Sequence, residues 1–255
     1  MTEVSFDLLK HKKATMDKQF RHCFLEEYKA YNVDKPEGRL YVTPDGDFPS
    51  VTTFLSSLDK DTEWLDKWAE KLGGKDKAEI ELMRCADRGT GVHLALEYLV
   101  RNTPDPDKAG DYKHMYRQIA RVLQMHVDDI YGLELPLWSK VLKLAGRVDC
   151  IAKYKGELAI IDFKTSNKVK LASWITNYFL QTTCYSIMLE HLYGLKAEKL
   201  VIIIGVENGA TDAQVYVRDR RDYMPLLAEK IKEFRLQQAE KAKAKENNVS
   251  MFDLF

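Results

Sequence analysis

The sequence predicts an α/β fold, a mixed central sheet flanked by helices, with a helical N-terminal elaboration ahead of it. Two observations predict this. Short apolar runs rich in β-branched residues recur at about 133–144, 146–154, 158–164, 199–206 and 213–218. Longer helical patterns alternate with them, at about 77–101, 112–130, 172–193 and 220–245. Strands crossed by helices in this order call for a layered sandwich with the sheet in the middle.

Taken in order, residues up to about 32 are charged and read as helical. Arg39–Pro49 has hairpin turn chemistry, with Pro44-Asp45-Gly46 at its tip. Ser50 or Thr52 can cap a helix over 51–58, and Trp64–Leu72 reads as another. Lys77–Arg101 is a long helix with Ile80, Met83, Val92, Leu96 and Leu99 on its apolar side. Asn102–Lys108 carries two prolines and is a loop. Tyr112–Ile130 is helical. Leu142–Tyr154 alternates as one or two antiparallel strands, and Lys155-Gly156-Glu157 turns the chain into the apolar strand Leu158–Ile161. The organisation that follows is an elaboration over 1–75, a core over 76–240 and a tail over 241–255, with no internal repeat.

A chain of 255 residues suits one α/β domain with an elaboration. Lys and Arg number 39, as do Asp and Glu, so the formal net charge is zero. That excludes a bulk polycation but not an enzyme of nucleic acid, which needs only a local basic surface. No apolar run approaches membrane-spanning length and no signal-peptide pattern opens the chain, so no membrane partner and a cytosolic location are expected, bacterial or in a phage-infected host. Cys23, Cys85, Cys150 and Cys184 are far apart, without a Cys-x-x-Cys pair, so zinc is not expected.

The chemistry concentrates in Gly146-Arg-Val-Asp149 and Ile160-Ile-Asp162-Phe-Lys164. Side chains alternate along a strand, which puts Asp162 and Lys164 on one face and Phe163 on the other. A hairpin of this length can bring Asp149 beside Asp162. Two such carboxylates repel unless a cation lies between them, and hard oxygen donors suit Mg²⁺ or Mn²⁺. A lysine on the same face can orient a nucleophilic water or stabilise a phosphoryl oxyanion. An isolated Asp-x-Lys is more often a surface ion pair; the upstream Gly-x-x-Asp and the apolar strand running into Asp162 set this one apart.

With these residues the sequence resembles the PD-(D/E)xK nucleases, and among them the RecB-type exonuclease branch. Asp149 and Asp162 match the two acidic positions and Lys164 the lysine. Gly89-Thr-Gly-Val-His93 is similar to the branch's Gly-x-x-x-His helix, Gln181-Thr-Thr-Cys-Tyr185 to its Gln-x-x-x-Tyr helix, and Phe48-Pro-Ser-Val-Thr-Thr53 to a Pro-Ser-Val-Thr segment of mitochondrial genome maintenance exonucleases and their phage relatives. The likeness covers about 40–220. It implies a restriction-endonuclease-like core, and one or two divalent ions held by His93, Asp149, Asp162 and the Phe163 carbonyl. Lys164 would then act on the attacking water, with Gln181 and Tyr185 near it and the DNA backbone. It further implies an exonuclease preferring single-stranded DNA ends, in replication, recombination or repair. An endonuclease on the same fold and a non-catalytic DNA-binding scaffold are the alternatives. Some RecB-type nucleases carry an iron–sulfur cluster; nothing beyond Cys184 can supply the later ligands, so none is expected here.

Around this centre, Ser50, Thr52 and Thr53 offer hydroxyls and free N–H groups for a phosphate, although a plain helix cap explains one of them equally. Arg88, Arg147, Lys168 and Lys170 flank the motifs as phosphate contacts. Trp64, Trp68 and Trp174 either stack on unpaired bases or pack in the core. Glu97 shares a helical face with His93 and is open between a role at the metal and an ordinary surface position; Glu134 is read as structural. Lys241–Asn248 reads as a fraying tether before Met251-Phe252-Asp253-Leu254-Phe255. Those apolar side chains either fold back on the domain or anchor a partner. The peptide is similar to the Gln-Leu-Asp-Leu-Phe motif that grips sliding clamps, with Met251 and Phe252 departing from it.

Overall fold

The computed structural model describes residues 18–59 and 63–252, the side chains of 63–64 and 244–252 excepted. Its elements are β1 (Arg21–His22), β2 (Tyr31–Lys35), β3 (Gly38–Thr43), β4 (Gly46–Pro49), α1 (Val51–Leu58), α2 (Glu63–Leu72), α3 (Lys75–Val100), α4 (Lys113–His126), β5 (Val127–Ser139), β6 (Leu144–Tyr154), β7 (Glu157–Lys168), α5 (Thr176–Tyr193), β8 (Lys199–Asn208), β9 (Gln214–Asp219) and α6 (Arg220–Phe252). Short 3₁₀ turns occupy Pro106–Tyr112 and Ala172–Trp174.

Alternation along the strands sorts the apolar side chains into two cores, one on each face of a six-stranded sheet ordered β1-β5-β6-β7-β8-β9. In β7, Ala159, Ile161 and Phe163 enter the core shared with α3 and α4, and Ile160 enters the one shared with α1, α5 and α6. The sheet is mixed: β1–β5 and β7–β8 run parallel, and the other neighbours antiparallel. This is the α/β sandwich expected from the alternation of elements.

Several boundaries differ from the expectation. The described part of the N-terminal stretch is extended rather than helical: β1 adds to the large sheet, and β2 joins the β3–β4 hairpin in a separate three-stranded sheet. The fourth helix ends at His126, not Ile130. Val127 and Ile130 satisfy either period, and partners across the sheet decide: Arg21 pairs with Asp129 at 2.6 Å and Lys153 reaches it at 3.1 Å. The following strand ends at Ser139, whose Oγ accepts from Leu142 N–H in a turn that only then releases β6. Ile80 and Met83 are exposed, not core; apart from Ala78, the buried apolar residues of α3 begin at Val92. The backbone of α6 is helical to Phe252 where a tether was expected, consistent with the high helix propensity of its Lys, Ala and Glu. Asp253, Leu254 and Phe255 lie outside the described residues, as do the side chains of Met251 and Phe252. No described helix is long and apolar enough to cross a membrane.

Candidate active site

The site forms where the sheet splits. β6 and β7 pair from Tyr154↔Glu157 to Cys150↔Ile161. Past Cys150, β6 leaves β7 and runs beside β5 back to Leu144, while β7 continues along β8 to Lys168. Asp149 and Asp162 are the first residues beyond the last pair, one on each arm of the fork. Backbone groups at a split lose their ladder partners and need others. Phe163 N–H donates to Asp149 Oδ2 at 2.8 Å. The N–H and C=O of one strand residue project to the same edge, so the Phe163 carbonyl opens into the same fork.

Asp162 is 1% exposed. Lys164 Nζ lies 2.7 Å from its Oδ1 and 2.6 Å from its Oδ2, but only the Oδ1 contact has hydrogen-bond geometry. Oδ2 is buried without a hydrogen bond. Burial raises the Asp162 carboxyl above the usual range, the Lys164 ammonium pulls it back and Asp149 pushes it up again. For Lys164, burial opposes the charge, yet Asp162 and Asp149 outweigh it and the net shift is upward. The ammonium also sits 5.1 Å from the centre of the Tyr178 ring.

α3 brings His93 to the fork, with Nδ1 3.7 Å from Asp149 Oδ2 and its ring edge-on to Phe163. β5 brings Glu134. Ligand atoms of His93, Glu134 and Asp149 all lie within 4.8 Å of one another. Glu134 has φ 49°, a left-handed conformation that a strand residue adopts only under constraint, and the register on either side, Leu133↔Cys150 and Leu135↔Val148, holds it there. Burial first, then Asp149 and Glu97, push its carboxyl up to about 7. Clustered acids, one imidazole and a buried carboxylate oxygen without a hydrogen bond fit a hard divalent cation. Glu134, read as structural from the sequence, thus stands beside the candidate ligands His93 and Asp149. Its sequence signal was an acid inside the apolar run Leu133–Trp138; the backbone strain that aims it had no signal. Tyr178, facing Lys164, was also missed.

The motif glycine has a physical reason. A Cβ at Gly146 would lie 2.7 Å from Cε1 and 2.9 Å from Oη of Tyr185. Tyr185 is buried, accepts a hydrogen bond from Gln181 Nε2 at 3.2 Å, and its hydroxyl is raised well above the usual range by burial. Gly-x-x-Asp and Gln-x-x-x-Tyr thus meet face to face.

The remaining residues divide. Ser50 caps α1, its Oγ accepting from Thr53 N–H at 2.9 Å, and both hydroxyls are engaged in a local network with Thr52 and the Arg39 backbone. Ser50 also bridges to Ala145, which joins this cap to the β6 arm, and Thr52 is exposed. Arg147 and Lys168 are exposed, on β6 and at the end of β7. Arg88 is not a surface cation: it is 4% exposed and ion-paired with Glu207 at 2.8 Å, because α3 packs it against the end of β8. Trp174 is 64% exposed rather than core.

The family model of the PD-(D/E)XK nuclease superfamily matches residues 111–250. Mitochondrial genome maintenance exonuclease 1 of Mus musculus is 26% identical over 223 residues, covering 79% of this chain and 64% of that protein. The Homo sapiens protein of the same name is 26% identical over 174 residues, 64% of this chain and 50% of that one. The Xenopus tropicalis protein is 26% identical over 184 residues, 65% and 50%. The chain thus spans between half and two thirds of the length of these relatives.

Proposed function

Because the chain belongs to the PD-(D/E)XK nuclease superfamily, we propose that it is a DNA exonuclease. It would hydrolyse phosphodiester bonds with Mg²⁺ or Mn²⁺ and act on single-stranded ends during replication, recombination or repair. The observation that carries this reading is the fork between β6 and β7: His93, Glu134 and Asp149 cluster there, Phe163 N–H on the other arm donates to Asp149, and its neighbour Asp162 is ion-paired with Lys164. The relatives are named as exonucleases of genome maintenance, which agrees with DNA as the substrate.

His93, Glu134, Asp149, Asp162 and the Phe163 carbonyl would hold the cation. When bound it would polarise the phosphate and acidify water. The chain's own part is positioning. Lys164, ion-paired with Asp162, would donate hydrogen bonds to the attacking water and to phosphoryl oxygen. The Phe163 N–H bond fixes the Asp149 carboxylate on the β7 arm. Tyr185 and Gln181 brace the β6 arm, which carries Asp149, through Gly146. Arg147, Lys168 and the exposed Thr52 would take backbone phosphates. The C-terminal peptide Met251–Phe255 would tether the enzyme to a sliding clamp, raising its local concentration without altering the centre. Deleting it should abolish clamp binding and leave cleavage of short oligonucleotides unchanged.

End-labelled single- and double-stranded oligonucleotides and a circular single strand, each with Mg²⁺, Mn²⁺ or EDTA, test the reading. Metal-dependent trimming of linear single strands with the circle intact is expected. Cutting of the circle would make the enzyme an endonuclease, and no cleavage under any condition would leave a DNA-binding scaffold.

A further inference from the structure

The active-site strand runs on into a segment of which the chemistry above uses only Lys168. Lys168-Val169-Lys170-Leu171-Ala172-Ser173-Trp174 joins β7 to α5. Val169, Leu171 and Trp174 are 42%, 55% and 64% exposed. Burial does not explain them, and a cluster of apolar side chains in water has a cost that folding leaves unrecovered.

The segment is nonetheless pinned. Lys170 N–H donates to Gln214 Oε1 at 2.8 Å, and its carbonyl accepts from Gln214 Nε2 at 2.9 Å and from Tyr216 Oη at 2.6 Å. Ile175, fully buried, anchors the far end, and Trp174 N–H closes the turn onto Leu171 O at 2.9 Å. The backbone is fixed by β9 on one side and the core on the other, while Val169, Leu171 and Trp174 stay exposed.

Two features identify what this surface meets. The segment carries two lysines and no acid, so it favours a polyanion. It is also continuous with the catalytic opening: Lys164 lies four residues before Lys168, and Tyr178, one helical turn past Trp174, faces Lys164 Nζ. Exposed aromatic surface bordered by lysines matches an unpaired nucleic-acid strand, whose bases stack while its phosphates pair. We propose that Leu171 and Trp174 form a platform on which an unpaired base of the DNA strand stacks as the backbone passes from Lys168 and Lys170 toward Lys164. This rests on the nuclease reading.

Binding of a fluorescent single-stranded oligonucleotide, and of its abasic counterpart, to the full-length protein in EDTA tests it by anisotropy. Trp174→Ala should weaken binding of the base-bearing strand about 10-fold, leave the abasic strand unchanged, and be largely restored by Trp174→Phe. Lys168→Ala with Lys170→Ala should weaken both strands and lower the salt slope by about 1.4. Equal binding by Trp174→Ala and the wild type would overturn the platform and leave the nuclease reading standing. An equal loss on both strands would also overturn it, as a structural effect, and so would a change in sedimentation showing that Trp174 is covered by a second copy. Failure of the wild type to bind or cut any DNA would overturn the nuclease reading and the platform together.

Discussion

Replacing Gly146 with alanine tests the contact between the two motifs. The added Cβ would lie 2.7 and 2.9 Å from Cε1 and Oη of Tyr185, distances that real Cβ atoms do not keep, and 3.2 Å from Cζ. The ring cannot swing into water, since it is 3% exposed and belongs to the core shared by α1, α5 and α6. No positive φ is involved, so the penalty is steric. Overpacking of a filled site costs about 1–3 kcal/mol. In a chain of this size each kcal/mol moves the melting temperature by about 2–4 °C. Calorimetry of the wild type, Gly146→Ala, Tyr185→Ala and the double variant forms the assay. The alanine at 146 should be nearly silent once Tyr185 is shortened, so the cycle should return a coupling of about the same 1–3 kcal/mol. Additive losses would refute the contact as the reason for glycine in Gly-x-x-Asp.

Three further outcomes are expected. Lys164→Ala should lose turnover by about 100-fold or more while keeping metal affinity, because the ammonium acts on water and phosphate; cleavage and metal titration in parallel check it. His93→Ala should instead weaken the metal by about 10-fold and recover with added Mn²⁺; the reverse pattern would exchange the two roles. Glu134→Gln should raise the thermal stability of the metal-free protein. The folded carboxyl sits at about 7 against an ordinary 4.5, so between those values only the unfolded chain ionises and the wild type loses stability as pH rises. Glutamine has no such penalty, so its advantage should grow from pH 5 to pH 8 in thermal melts.

Much of this site was legible because it is local. Asp162 and Lys164 share a face by strand alternation alone, and Asp149 comes within a hairpin's length of them. Glu134 was not legible: its arrival depends on a left-handed residue held by the β5–β6 register, a property of the pairing and not of the segment. Arg88 misled for a related reason, since its partner Glu207 is remote in sequence and its burial follows from α3 docking on β8. The N-terminal stretch and the end of α4 failed where short segments satisfied two periods. There Arg21, Asp129 and Lys153 settle the structure through contacts across the sheet.

Asp149 and Asp162 would hold a divalent cation in the fork. Calorimetric titration of Mn²⁺ into the wild type, Asp149→Asn and Asp162→Asn, with cleavage of an end-labelled single strand followed on the same preparations, measures it directly. The wild type should bind the ion and cut, while both variants should keep the fold and DNA binding but lose the ion and the cutting. An asparagine variant that still turned over near the wild-type rate, or a wild type that cut in EDTA, would contradict the account.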